Sequence, residues 1–222
     1  LARFINLVDS IEHIPALAGL ADMTNNPEAM DQYLAIAAKK GYDRELLGKI
    51  SGVIDFVSTK LRFMEAREYV EVMFGESVQQ QKKLVDVLVP HIRGMEEKSL
   101  TIGKALVKRE KHGKNGLNLF FLEQAYSRGA YPKPGKANGM LHDFERKAQP
   151  LLVSAGVLSD AITFRATDET GFSVHALMDF MAKELPDAFV EGGGHKSAGA
   201  IRFVPMMQAQ VLDKVREFVS KL

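Results

Sequence analysis

LLVSAGVLSDAITFRA (151–166), SVHALMDFMAKEL (173–185), SAGAIRFV (197–204) and MMQAQVLDKVREFVSKL (206–222) decide the fold class of this chain. LLVSAG and AITFRA are short apolar runs of strand length on either side of a turn. SVHALMDFMAKEL carries its apolar residues at helical spacing, with Ser173 placed to cap it. SAGAIRFV reads as another strand and the last stretch as a closing helix. Working outward, LNLFFL (117–122) is a further strand, MLHDFERKA (140–148) a short helix, and SRGAYPKPGKANG (127–139) a loop by its Gly, Pro and Asn content. Strands alternating with helices predict a small α/β domain with a mixed sheet over 115–222.

The first half of the chain reads as helical. Phe4, Leu7, Val8 and Ile11 open it at helical spacing, without the basic start and cleavage site of a signal peptide. The first residue is Leu1, so the chain is expected to begin inside a larger protein, in mid-domain. Asn26-Pro27-Glu28 is a helix start, with an Asn cap, Pro in the first turn and an acid near the positive end. Met30, Leu34 and Ala37 share one face of the helix that follows, which stops at Gly41. DRELLGKISGVIDFVSTKL (43–61) is a second amphipathic helix, and 76–112 reads as one long connecting helix, kinked near Pro90. The expected plan is therefore 1–75, a connector over 76–114, and 115–222.

Of the 222 residues, 46% are hydrophobic and 26% charged, a globular composition; Lys+Arg and Asp+Glu balance at 29 and 28, so no overall basic field marks a nucleic-acid binder. No run of eighteen apolar residues occurs, so no membrane span is expected. The absence of Cys excludes disulfides, Cys-ligated zinc and a thiol nucleophile, and fits a cytoplasmic location.

Three places carry candidate chemistry. In Glu191-Gly192-Gly193-Gly194-His195-Lys196-Ser197-Ala198-Gly199-Ala200, three glycines allow a tight approach of backbone N–H groups to an anion. His195 adds a side-chain donor, Lys196 a charge, and the small residues after them leave room for a phosphate or sugar. A plain Gly-rich turn is the alternative reading. Arg165, at the end of a strand, can present its planar fork to a phosphate, or can simply be a solvated strand end. Asp22, in PALAGLADMTNNPEAM (15–30), can ligate a hard metal ion, or can be a loop acid or helix cap. Lys108, Arg109, Arg128 and Lys133 form a fourth, basic group, with Lys104, Lys111, Lys114 and Lys136 near them and Tyr126 and Tyr131 interleaved. That mixture suits single strands, although basic residues at a helix end also satisfy the helix dipole.

EGGGHKSAGA (191–200) resembles the glycine-rich signature of the C-terminal domain associated with the DHH phosphoesterases, whose members include RecJ exonucleases, oligoribonuclease/pAp phosphatases and cyclic-dinucleotide phosphodiesterases. ITFRA (162–166) resembles that family's phosphate-binding strand, and GLADM (19–23) its last metal-binding motif. The resemblance implies two Mn2+ or Mg2+ ions in the intact enzyme, with Asp22 as a ligand. Arg165, His195 and Lys196 would bind substrate phosphate, with Gly192, Gly193 and Gly194 beside them. Arg165 and His195 would act in catalysis.

The Asp-His-His triplet and the upstream Asp-x-Asp motif of the family are absent; the His residues are 13, 91, 112, 142, 175 and 195, none adjacent. The expectation is thus the helical tail of a catalytic domain, a connecting helix and a substrate-binding domain, without a complete metal site and inactive alone. The missing N-terminal half of the catalytic domain is the expected partner. The long connector and Ala-Asp-Met-Thr-Asn-Asn favour a RecJ-like exonuclease, cutting single-stranded DNA in the 5′–3′ direction. The rivals are a small-nucleotide phosphoesterase and a nucleic-acid-binding module that has lost catalysis.

Overall fold

The computed structural model describes residues 11–22, 26–126 and 129–222, in two compact units, 1–95 and 96–222. Phe4, Leu7 and Val8 of the predicted N-terminal helix lie outside the described residues.

The first unit is helical: α1 (Ile14–Ala21), α2 (Pro27–Ala38), α3 (Arg44–Lys60), α4 (Phe63–Gly75) and the beginning of α5 (Val78–Leu106). Asn26 caps α2 as predicted, its Oδ1 accepting from Ala29 N at 3.1 Å. Asp43 Oδ1 caps α3 by accepting from Leu46 N at 2.7 Å. α3 supplies the centre of this unit: Leu46, Leu47, Ile50, Val53, Phe56 and Val57 recur at three- and four-residue steps and are all buried.

The second unit is built on one mixed sheet of six strands in the order β1-β2-β3-β4-β6-β5. The strands are β1 (Lys108–His112), β2 (Asn115–Phe121), β3 (Leu152–Val157), β4 (Ala161–Ala166), β5 (Glu191–His195) and β6 (Ala198–Arg202). β2 and β3 are parallel and every other pair is antiparallel. Helices α6 (Pro134–Glu145), α7 (Val174–Glu184) and α8 (Gln208–Ser220) complete the unit.

The two faces of the sheet differ in chemistry because strand side chains alternate. Val153, Ala155, Ile162, Phe164 and Ile201 point to one face. There they form the main core with Val174, Leu177 and Met181 of α7 and Val211, Val215 and Val219 of α8. The other face carries a smaller cluster, Phe120, Leu122, Ala137 and Leu141, where α6 packs, together with polar residues that α6 partly covers. Asn138 Nδ2 donates to the carbonyls of Ser154 and Thr163 at 3.2 and 2.9 Å. His142 Nδ1 pairs with Ser154 Oγ at 2.9 Å.

Three predicted elements are corrected. α5 passes through Pro90 and ends at Leu106, so 108–112 is an edge strand and not the end of a helix. KREKH offers no apolar residue to mark a strand; pairing with β2 imposes it. α6 begins at Pro134, inside the predicted loop, because Pro fits the first helical turn. Finally, Glu191–His195 is a strand and not a turn; the turn is only Lys196–Ser197.

The His142 ring is 5% exposed. Burial pushes its pKa down to about 4, with Arg146 and Arg165 adding to the effect and Asp143 opposing it. A depressed folded-state pKa means the unfolded chain takes up the proton first. Stability is therefore complete above about 6.5 and declines as pH falls toward about 4, by up to about 3 kcal/mol. Urea unfolding at stepped pH is expected to show this decline in the wild type. His142→Gln should be less stable at neutral pH and should lose that part of the slope; an identical slope in both proteins would refute the assignment.

Candidate functional site

Cross-strand pairing places the candidate residues of the second unit in a single row. Arg109 pairs with Asn118, Asn118 with Ser154, Ser154 with Arg165, Arg165 with Ala198, and Ala198 with His195. Residues directly opposite one another point to the same face. The row thus crosses the whole sheet on the face opposite the main core. Two of its members pair with α6: Arg109 grips Glu145 with Nε at 2.8 Å and Nη2 at 2.7 Å, and Ser154 holds His142. Beyond α6 the row opens onto a shelf formed by β4, β6 and β5. Its floor is Gly193, Ala198 and Ala200, and its flanks are Arg165 and His195. At about 4.8 Å per strand, Arg165 and His195 are roughly 10 Å apart along the row.

Arg165 is half-buried at the edge of this shelf. Its Nη1 donates to the Phe164 carbonyl at 2.8 Å, and among the described residues no carboxylate forms an ion pair with it. Burial lowers its pKa, while Asp143 pulls the other way. A half-buried guanidinium with no carboxylate in ion-pair contact among the described residues favours an anion beside it. Gly139 of α6 faces it, and a Cβ there would stand 3.6 Å from Arg165 Nε.

The glycines separate into two groups. A Cβ on Gly192 would sit 2.2 Å from the Ala200 carbonyl oxygen, and one on Gly194 would sit 2.6 Å from Gly199 Cα; Gly194 also has φ +126°. Folding alone accounts for these two. A Cβ on Gly193 would meet nothing within 4 Å. Gly193 is on the shelf side, in register with Ala200, so the chain itself gives no steric reason for its missing side chain. The opening left there is the cradle of the candidate site.

The hairpin is held at its tip by its neighbours. Ala166 N donates to the Ser197 carbonyl and Val174 N to the Lys196 carbonyl, both at 2.9 Å. His175, not singled out in the sequence, reaches the Gly194 carbonyl with Nε2 at 3.1 Å. Its position two residues after the Ser173 cap gave no sign of this. β5 is at the sheet edge, so alternate residues direct their N–H groups away from β6, not onto one point as a nest. His195 and Lys196 are exposed.

The remaining candidates are placed elsewhere. Asp22 is the exposed residue closing α1, in the first unit. Among the described residues, no three His, Asp, Glu or Cys side chains gather as a metal site. Asp22 by itself does not make a metal centre. Lys108 lies with Nζ 5.0 Å from the centre of the Phe121 ring, Lys133 is the exposed residue before α6, and Arg128 lies outside the described residues. Tyr126 bonds Ser99 through its hydroxyl. Tyr131 is buried and bonds Glu96 and Lys136. The aromatics interleaved with this basic group are therefore used inside the unit. No helix among the described residues is long and apolar enough to cross a membrane.

Comparison with known proteins gives this geometry its context. No family model matches the chain. The DHH domain of a protein described as a member of a ribosomal-protein family superposes over the whole chain with a TM-score of 0.88 and 33% identity. The chain shares the fold of a DHH-domain protein over its whole length. RecJ of Thermus thermophilus in complex with Mg2+ shares the fold over 95% of the chain, with a TM-score of 0.59 and 14% identity. Exonuclease RecJ bound to manganese does so over 95%, at 0.53 and 12%. An uncharacterized protein of Methanocaldococcus jannaschii is 29% identical over the entire chain. The chain spans 32% of that archaeal protein and 53% of the ribosomal-family structure.

The two groups of glycines respond differently to a methyl group. Gly192→Ala must push two backbones apart and should cost about 1–3 kcal/mol, lowering Tm by several degrees. Gly193→Ala should leave Tm unchanged or raise it by a few degrees, through a loss of chain entropy in the unfolded state worth about 0.4–1 kcal/mol. Thermal unfolding of both variants checks this, and equal losses would mean that Gly193 is a packing residue.

Proposed function

We propose that this chain is the C-terminal part of a metal-dependent phosphoesterase acting in the cytoplasm, a RecJ-like exonuclease that cuts single-stranded nucleic acid, DNA in the 5′–3′ direction. The observation that carries the reading is the opening at Gly193, framed by the unpaired guanidinium of Arg165 and the exposed ring of His195. In this reading Arg165 binds a substrate phosphate with its planar fork, His195 donates a ring N–H to the same or the next phosphate, and Lys196 adds charge at the turn. An outward N–H of the edge strand completes the grip. The contribution of these residues to the reaction is to fix the phosphodiester and offset its charge.

In the proposed plan, 1–75 closes the catalytic domain, 76–114 connects, and 115–222 holds the substrate. Asp22 is one ligand of the Mn2+ or Mg2+ pair, and the other ligands come from outside the described residues. The RecJ structures solved with Mg2+ and with manganese support that choice of ions. The likeness to a member of a ribosomal-protein family brings RNA forward as a second strand to test.

Fluorescence anisotropy over a salt series tests the reading, using 5′-phosphorylated single-stranded DNA, the matching RNA and a dinucleotide. The wild-type chain should prefer the long strands, with an affinity that falls steeply as salt rises. Removing the charged donor in Arg165→Ala should weaken binding about 10- to 100-fold. His195→Ala and Gly193→Val should each weaken it while leaving Tm intact. Equal binding of dinucleotide and long strand with a shallow salt slope would favour a small-nucleotide phosphoesterase. Binding that ignores all three substitutions would remove the shelf from the proposal.

A further inference from the structure

Phe189 stands immediately upstream of β5 and breaks two rules at once. It is the only described residue other than Gly with positive φ, at φ 47° and ψ 52°. Left-handed backbone is unfavourable for a bulky side chain and is retained where something else requires it. The ring is also 74% exposed, so burial does not compensate for the strain. Its neighbours on both sides are anchored: Ala188 is fully buried and Val190 packs against the main core. The Ala188 carbonyl accepts from Val204 N at 3.1 Å, which brings the Pro205–Met207 turn alongside. Met206 on that turn is 89% exposed. The chain therefore holds an aromatic ring in water on a backbone that glycine would suit better.

We infer that Phe189 is a stacking platform for a base of a single-stranded nucleic acid whose phosphates run over the Arg165–His195 shelf; the inference rests on the phosphate-binding reading above. β5 joins the two places directly. At 3.3 Å per residue, Phe189 is at most about 13 Å from Gly193 and about 20 Å from His195. A strand laid along the sheet edge can engage both. Rings accept any base, because every base has a π-face, so the platform grips a strand without reading its sequence. Met206 offers a polarizable apolar surface on the adjoining turn. This assigns to the domain a contact that a lone phosphate or a dinucleotide does not use.

The experiment compares a 5′-phosphorylated oligothymidylate with a strand of equal length made of abasic units. Binding is measured for wild type, Phe189→Gly and His195→Ala. Phe189→Gly relieves the positive φ, so its Tm should equal or exceed that of wild type, which keeps misfolding apart from lost contact. It should weaken binding of the base-bearing strand about 5- to 100-fold and leave the abasic strand unchanged. His195→Ala should weaken both. The chain contains no Trp, so Phe189→Trp supplies a single reporter whose fluorescence the base-bearing strand should quench and the abasic strand should not. If Phe189→Gly changes neither strand, or both equally, while His195→Ala still weakens both, the platform is refuted and the phosphate shelf stands. If wild type binds neither strand, both fall together.

Discussion

The site depends on one ladder, the antiparallel pairing of β4 with β6. It places Arg165 opposite Ala198, and a two-residue turn then folds His195 back onto Ala198 from the other side. Three strands, two of them joined by that turn and the third some thirty residues upstream, thereby present one row. A shift of one residue in either pairing would send Arg165 or His195 into the main core. The Ala166–Ser197 backbone bond at 2.9 Å locks the register at the tip of the hairpin. Phe164 and Ile201, fully buried on the opposite face, hold it from behind. Core packing on one face of the sheet thus sets the chemistry of the other.

Two arginines in the same row show what that constraint produces. Arg109 lies where α6 covers the sheet, and Glu145 takes both ends of its fork. The same contact holds the Glu145 carboxyl below its usual range, against a smaller opposing effect of burial. Arg165 lies where α6 gives way to the shelf, and among the described residues its guanidinium bonds the neighbouring carbonyl and forms no ion pair. Leaving a half-buried cation without a counter-ion costs stability that a neutral residue would not. The chain bears that cost at one position in the row, near the one glycine of the β5–β6 hairpin whose side-chain space is empty. In the functional reading, the same deficit is what draws an anion.

The sequence made the helices legible because their caps and periods are local. Asn26 and Ser173 each accept the expected backbone N–H, and the buried stripe of α3 follows the helical repeat. β3 and β4 were legible as short apolar runs. β1 was not, because Lys108–His112 is charged throughout and becomes a strand only through β2. β5 was not, because three consecutive glycines have no propensity for the extended state and gain it from β6. Arg165 and His195 were singled out by residue type and motif, but their shared row needed the register of β6 between them. Gly193 looked equivalent to Gly192 and Gly194 in the sequence; only the spacing of the two strands separates the glycine that leaves room from those that avoid a clash. The Tyr126 and Tyr131 hydroxyls, grouped with basic residues in the sequence, are engaged by Ser99 and Glu96, at separations of 27 and 35 residues, with Lys136 a local partner of Tyr131.

The two borders of the sheet solve a colloidal problem in opposite ways. Any terminal strand offers unpaired amides to a second molecule and invites fibre-like addition. β1 meets that risk with consecutive charged or titratable side chains, Lys108 to His112, which make a flat apolar contact with another strand costly. β5 cannot do the same without filling the shelf, so it relies on being short, beginning at Glu191, bending at Gly194 and carrying no apolar side chain to interdigitate. A glycine-rich border can remain accessible to a ligand without becoming a template for self-assembly. In the proposed reading, edge protection and access for a ligand are met together in five residues, Glu191–His195.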